Sequence, residues 1–225
     1  MTDAHTHIAG GGARSFLCVP PLAVSPAAAE GDVLFRGIHP WDAQAEGVEA
    51  RLDALAAALA ADRRLGVGEI GLDRLKSREI PDAARAVFRA QLALAADFRR
   101  PAVLHGAKCW GQVARAAAEF KGSVPAFLFH GFSRSDGLIP EIARLGGFIS
   151  VGSAVLNDHA VNYREMVKKI PENMLLLETD SVAEGDRPPL AAIAAKVAEL
   201  RCENLPELEA LTDANAARFA ESLAG

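Results

Sequence analysis

The chain has 225 residues, half of them hydrophobic and 24% charged, with a formal net charge of −5 and a pI near 5.7. That length holds one fairly large domain or two small ones, and the acidic balance excludes the basic footprint of a general nucleic-acid binder. Its three cysteines, Cys18, Cys109 and Cys202, form no CxxC pair, which excludes a zinc ribbon or a secreted disulfide framework and fits a reduced compartment.

The first residues, MTDAHTHIAGGG, carry neither a basic n-region nor an apolar h-segment, and no run of about 18 apolar residues follows anywhere. A cytoplasmic protein is therefore expected, with no membrane contact and no obligate protein partner. Short β-branched runs predict strands at Asp3–Ile8, Ser15–Val19, Val33–His39, Leu65–Leu72, Ala102–His105, Ala126–His130, Gly147–Val151 and Met174–Thr179. Between and after them, helical spacing predicts helices near Ala45–Asp62, Pro81–Arg99, Gly111–Phe120, Ser135–Leu145, His159–Ile170, Leu190–Arg201 and Leu205–Leu223. Strand-then-helix order implies parallel strands, and eight of them point to an α/β fold of the (β/α)8 barrel type in one domain over residues 1–225. The Gly-rich AGGGAR stretch after the first strand is too short for a crossover helix. Either the first helix is lost or the second strand pairs differently.

Chemistry-bearing residues gather at predicted strand ends. His5, His7, His105 and His130 sit at or near C-terminal ends, Glu69 lies within a strand, and Asp180 follows one. In a (β/α)8 barrel those ends share the face on which active sites are built. His5 and His7, two apart, point to one side of their strand. Each residue alone has an ordinary structural role open to it, such as an internal ion pair for Glu69 or a loop hydrogen bond for a histidine. Their joint placement points instead to divalent-metal binding by His5, His7, Glu69, His105, His130 and Asp180. Imidazoles with carboxylates favour Zn or Mn, and Mg remains open. A cation lowers the pKa of bound water from about 15.7 towards 7, and two could stabilise both oxygens of a phosphoryl transfer. Asp180 then has two roles open to it: pure ligation, or orienting and deprotonating that water.

The series DAHTHI, GIHPWD, GEIGLD, RPAVLHG, FLFHGFS and LLLETDS, closed by TDANAARF with Asn215 and Phe219, resembles the TatD-like deoxyribonucleases of the amidohydrolase superfamily. The resemblance implies a distorted (β/α)8 barrel and metal-dependent hydrolysis of DNA ends through a metal-activated water. By position it implies one metal on His5, His7, Glu69 and Asp180, and a second reached by Glu69 and held by His105 and His130. Glu69 stands where the superfamily's bridging carbamylated lysine would be. A phosphodiesterase acting on nucleic-acid or nucleotide ends is the leading expectation. The alternatives are an ester or amide hydrolase, such as one acting on D-aminoacyl-tRNA, and a metal-binding barrel without turnover.

The chain departs from the family around the presumed mouth. Ala107 stands where an arginine follows the third histidine, with Lys108 next; Arg134 replaces a glycine, and Ser181-Val182 replaces a small-residue–Pro turn. The segment between HTH and IHP is also short. His39 is expected in the pocket as a substrate contact or a structural hydrogen-bonder. Arg74, Lys76, Arg78, Lys108 and Arg134 follow barrel strands and are expected on the same face, as phosphate contacts or as solvated loop charges. Trp41 and Trp110 wall the pocket or pack the core, Cys109 is an inert thiol, and His159 is a surface residue.

Overall fold

The structure is a computed structural model of the chain and describes residues 1–10, 13–24, 28–76, 78–133 and 136–223. Its strands are β1 (Thr2–Thr6), β2 (Arg14–Val19), β3 (Val33–Arg36), β4 (Gly66–Asp73), β5 (Ala102–Ala107), β6 (Phe127–Phe129), β7 (Phe148–Val151) and β8 (Leu175–Leu177). They form one eight-stranded sheet in chain order, each neighbouring pair parallel. Helices α1 (Val48–Ala61), α2 (Asp82–Asp97), α3 (Trp110–Ala118), α4 (Ile139–Arg144) and α5 (Val161–Val167) make the successive crossovers from β3 to β8, and α6 (Leu190–Arg201) and α7 (Leu205–Glu221) follow. This is the expected (β/α)8 barrel. No helix among the described residues is long and apolar enough to cross a membrane.

The predicted strands are all present, but several stop early for local reasons. β3 ends before His39 because Pro40 opens a 3₁₀ turn that His39 caps. β8 stops at Leu177 because the Thr179 N–H donates to the Asp3 carboxylate instead of joining a ladder. The helix predicted from Ser135 becomes a 3₁₀ turn at Asp136–Leu138 followed by the short α4, and Ser135 lies outside the described residues. The first helix is indeed lost: β1 and β2 are parallel neighbours with only residues 7–13 between them, Gly11 and Gly12 lying outside the described residues. No helix stands among the described residues between β2 and β3 either.

Strand alternation divides the core in two. Val103, Leu128, Phe148 and Leu176 face the barrel interior, while their neighbours Leu104, Phe129, Ile149 and Leu177 pack outward under the helices. At the N-terminal end, Phe219 of α7 plugs the interior, its ring 5.5–5.9 Å from those of Phe16, Phe35 and Phe148. Asn215 anchors that helix by donating to the carbonyls of Glu172 and Leu175 at the start of β8.

The seam between β8 and β1 closes differently from the other seven. Asp180 N donates to His5 O at 3.0 Å and His7 N to Ser181 O at 2.9 Å, both at or beyond the strand ends. Below them the fully buried Asp3 carboxylate takes the place of a ladder, accepting from Thr179 N at 2.9 Å and Thr179 Oγ1 at 2.6 Å. Burial pushes the Asp3 carboxyl up to about 6, despite both bonds. Asp3→Ala strands two buried donors and is expected to lower unfolding stability by about 2–4 kcal/mol. Thr179→Val, which removes one donor, is expected to lose about 1–2 kcal/mol in the same urea titration. Wild-type stability for both would show that the seam does not rest on this pair.

Candidate metal centre

The same alternation carries the site. His105 lies two residues beyond Val103 on β5 and so points inward, while His130 follows the end of β6 and Glu178 and Asp180 follow the end of β8, where they meet it. Glu69, on β4, enters the middle of the group. Close approach of β4 and β5 makes this possible: Gly71, at φ 154°, leaves no room for a Cβ against the His105 backbone.

Glu69 is 5% exposed and divides its two oxygens. Oε2 lies 3.6 Å from His5 Nε2 and 3.4 Å from His7 Nε2. Oε1 lies 2.5 Å from both His105 Nδ1 and His130 Nε2, which are 3.2 Å apart. Asp180 faces the first pair, its Oδ1 being 3.4 Å from His5 Nε2 and 3.8 Å from His7 Nε2. His130 also stacks on His5, with ring centroids 3.8 Å apart. The structure thus brings together His5, His7, Glu69, His105, His130 and Asp180.

Electrostatics follow from that crowding. Burial alone would raise Glu69, but His130, His105 and His7 outweigh it and hold the carboxyl well below its ordinary value. Burial would lower His105 and His130, yet Asp73 and Glu69 raise the first, and Glu69 and Glu178 raise the second, above the usual imidazole value. His7 is likewise held up by Glu69 and Asp180 against its burial. Asp180, half exposed at the mouth, would be raised by its surroundings but is brought down to about 2 by His5 and His130.

The donor set fits a divalent cation. His5 is fully buried and neither ring nitrogen has a hydrogen-bond partner. Its Nε2 lies 3.4–3.6 Å from two carboxylate oxygens, too long for good hydrogen bonds. Donors about 2.1 Å from a tetrahedral ion sit roughly 3.4 Å from each other, close to these separations. Nitrogen and oxygen donors without thiolate suit Zn or Mn.

Partners behind the donors fix which nitrogen faces inward. His7 Nδ1 donates to the Cys18 carbonyl at 3.0 Å, leaving Nε2 for the centre. His105 Nε2 donates to Asp73 Oδ2 at 2.9 Å, leaving Nδ1. His130 Nδ1 lies 3.8 Å from Glu178 Oε1, and Glu178 is itself held by Ser150. Neither Asp73 nor Glu178 stands out in the sequence reading. The available signal was strand parity, since Asp73 lies four residues beyond Glu69 and Glu178 two before Asp180, inside the GEIGLD and LLLETDS motifs.

His39 belongs to the pocket in another way. Its Nδ1 accepts from Trp41 N at 3.2 Å, so the neutral ring carries its proton on Nε2, 3.7 Å from Glu69 Oε1. Burial, with His105 and His130 nearby, brings it down to about 4, so the ring is neutral and turns its Nε2–H toward Glu69. It lines a recess of about 390 Å³ with Trp41, Val19, Pro20 and Val182. Trp41 is 52% exposed at that mouth, whereas Trp110 is buried against Phe129 and Phe132. Cys109 is buried, donates to the Leu72 carbonyl, and is pushed up to about 12 by burial, which makes it inert. His159 is exposed away from the centre. Lys108 lines a second recess with His105, His130 and Asp180, and Arg74 lies just beyond it. Arg134 lies outside the described residues.

The chain has four informative matches among known proteins. The family model described as TatD related DNase matches residues 24–221. Among curated proteins, a 3′–5′ ssDNA/RNA exonuclease TatD of Klebsiella pneumoniae (strain 342) is 31% identical over 80% of this chain and 73% of its own length. An uncharacterized metal-dependent hydrolase of Bacillus subtilis (strain 168) is 28% identical over 81% of this chain and 75% of its own. Among solved structures, a TatD homologue from Escherichia coli K12 superposes with a TM-score of 0.78 at 25% identity, covering 91% of this chain and 85% of that one.

If Asp73 and Glu178 orient the imidazoles, Asp73→Ala and Glu178→Ala should each weaken divalent-ion affinity by about 10–100-fold while the barrel still folds. Competition against a calibrated chelator measures this directly. Unchanged affinity with wild-type melting would reduce both carboxylates to packing roles.

Proposed function

The chain belongs to the TatD-related DNase family of metal-dependent hydrolases, and we propose that residues 1–225 form one domain that cuts phosphodiester bonds at nucleic-acid ends with one or two ions of Zn, Mn or Mg. The observation that carries this reading is the division of Glu69, with one oxygen on His5 and His7 and the other on His105 and His130. A carboxylate set between two donor groups suits a pair of cations a few ångströms apart, the arrangement used for in-line phosphoryl transfer. The Klebsiella relative's name, which specifies single-stranded DNA and RNA, supports nucleic acid as the substrate.

In this reading His5, His7, Glu69 and Asp180 would hold a first ion, and Glu69, His105 and His130 would hold a second. When bound, such ions make water acidic enough to ionise near neutral pH and balance the charge of phosphate oxygens. Glu69 keeps the two donor groups in register, which is its catalytic contribution. Asp180 is the half-exposed carboxylate of the group, and its Oδ2 accepts the proton of the attacking water. His39 donates from Nε2 to a phosphate oxygen. The terminal nucleoside enters the recess walled by Val19, Pro20, Trp41 and Val182, where the exposed indole face can stack on a base. Lys108, on the other side of the centre, meets the phosphate in place of the arginine that Ala107 lacks. Unpaired Cys18, Cys109 and Cys202 suit action in the reducing cytoplasm.

Manganese-loaded protein should shorten a 5′-labelled single-stranded oligonucleotide, and a chelator should stop it. Asp180→Asn should retain most of the bound metal yet lower turnover by about 10²–10⁴-fold. Metal-loaded protein that hydrolyses aminoacyl esters and leaves every phosphodiester intact would overturn the reading.

A further inference from the structure

The mouth of the barrel is asymmetric in charge. Acidic Asp42 lines the β3 side of the nucleoside recess and Asp180 follows β8, where Glu184 is paired with Arg187. On the opposite side, Arg74, Lys76 and Arg78 after β4 meet Lys108 after β5 around a separate recess of about 430 Å³. Leu75 and Lys108 are common to this recess and to the cleft lined by His105, His130 and Asp180, so the two are continuous. Four cations around one small cavity repel one another, and an anion seated among them relieves that repulsion.

The recess is also tied to the catalytic centre by hydrogen bonds. Asp73 accepts from His105 Nε2 through Oδ2 and from Leu75 N through Oδ1, at 2.9 and 2.5 Å. Arg74 N donates to Ala107 O at 3.0 Å, extending the β4–β5 ladder into the loops, and Arg74 Nε staples the turn by donating to Arg78 O at 3.0 Å. Lys76 Nζ sits 3.6 Å from the centroid of the Trp41 ring and bridges the basic recess to the wall of the nucleoside recess. Lys108 has a positive φ of 57°, and its exposed ammonium has no partner among the described residues.

We propose that Arg74, Lys76 and Arg78 form a second phosphate subsite, set beyond Lys108 and holding the backbone phosphate next to the one that is cut. The body of the polynucleotide then leaves the centre across the β4 and β5 loops, away from the acidic side. This assignment rests on the phosphodiesterase reading and adds a direction and a length requirement to it. A substrate with one phosphate gains nothing from the recess, whereas an oligonucleotide does.

The test compares wild type with the double variant Lys76→Gln/Arg78→Gln, which keeps the Arg78 carbonyl that staples the turn. Substrates are bis(4-nitrophenyl) phosphate, with one phosphate, and a fluorescent decathymidylate, with several. Binding of the decathymidylate is also followed by anisotropy in calcium across a salt series, independently of turnover. The subsite predicts an approximately tenfold rise in KM and Kd for decathymidylate, with KM for the single-phosphate diester within about twofold of wild type. Losing up to two phosphate contacts should also flatten the slope of log K against log salt by about 0.7–1.4. Unchanged Kd and slope in a variant with wild-type melting and metal content would overturn the subsite while leaving the hydrolase reading standing. Wild-type protein that takes up manganese but cleaves neither substrate would overturn the phosphodiesterase reading and the subsite with it.

Discussion

A carboxylate buried to the extent of Glu69 has to be compensated, because an unpaired charge removed from water costs several kcal/mol. In this barrel the compensation comes from histidines on β1, β5 and the end of β6, all within 3.6 Å of one or other oxygen. That requirement organises the interior. Strands must end where their imidazoles reach one point, and β4 and β5 must approach closely at Gly71. Cys18 O behind His7 and Asp73 behind His105 choose the inward nitrogen of those two rings, and Glu178 places a carboxylate 3.8 Å from His130 Nδ1. The result is a polar plug at the C-terminal end of an interior whose other end is filled by the Phe16, Phe35, Phe148 and Phe219 rings.

Closing the barrel and building the site are the same event at one seam. Backbone bonds from Asp180 to His5 and from His7 to Ser181 join β8 to β1 through residues of the centre themselves. Asp3 and Thr179 supply the rest of the closure. An opening of this seam would therefore separate His5 and His7 from Asp180. Loss of the helix between β1 and β2 is tolerated because the two strands still pair in parallel, with a shift of register between Asp3 and Thr6.

The departures from the family pattern lie in the loops, while the charged donors stay inside the barrel. Ala107 ends β5, Lys108 takes a left-handed backbone next to it, and Val182 is 67% exposed beside Asp180. Loops on this face can change without disturbing strand pairing, so recognition can drift while the centre is retained. The positive charge that Ala107 lacks is present nearby, contributed by β4 as well as β5.

Much of this was legible in the linear chain because it depends on local period. Alternating short β-branched runs and helical segments announced eight parallel strands, and His5, His7, His105, His130 and Asp180 declared themselves by standing at strand ends. Glu69 was legible as a strand carboxylate within a family motif. Partnership across strands was not legible, because hydrogen bonding between residues far apart leaves no spacing in the sequence. Asp73 behind His105, Asp3 in place of a ladder, and Trp41 N–H setting the His39 tautomer are all of this kind. Arg74 and Lys108 stand 34 residues apart in the chain, and only the parallel pairing of β4 with β5 sets them around one recess. The amino-acid order thus determined which strands form and where along them the donors stand, since both follow from the local period of each segment. Tertiary structure decided which nitrogens face the centre and where the loop cations gather, since both depend on which strands become neighbours when the barrel closes.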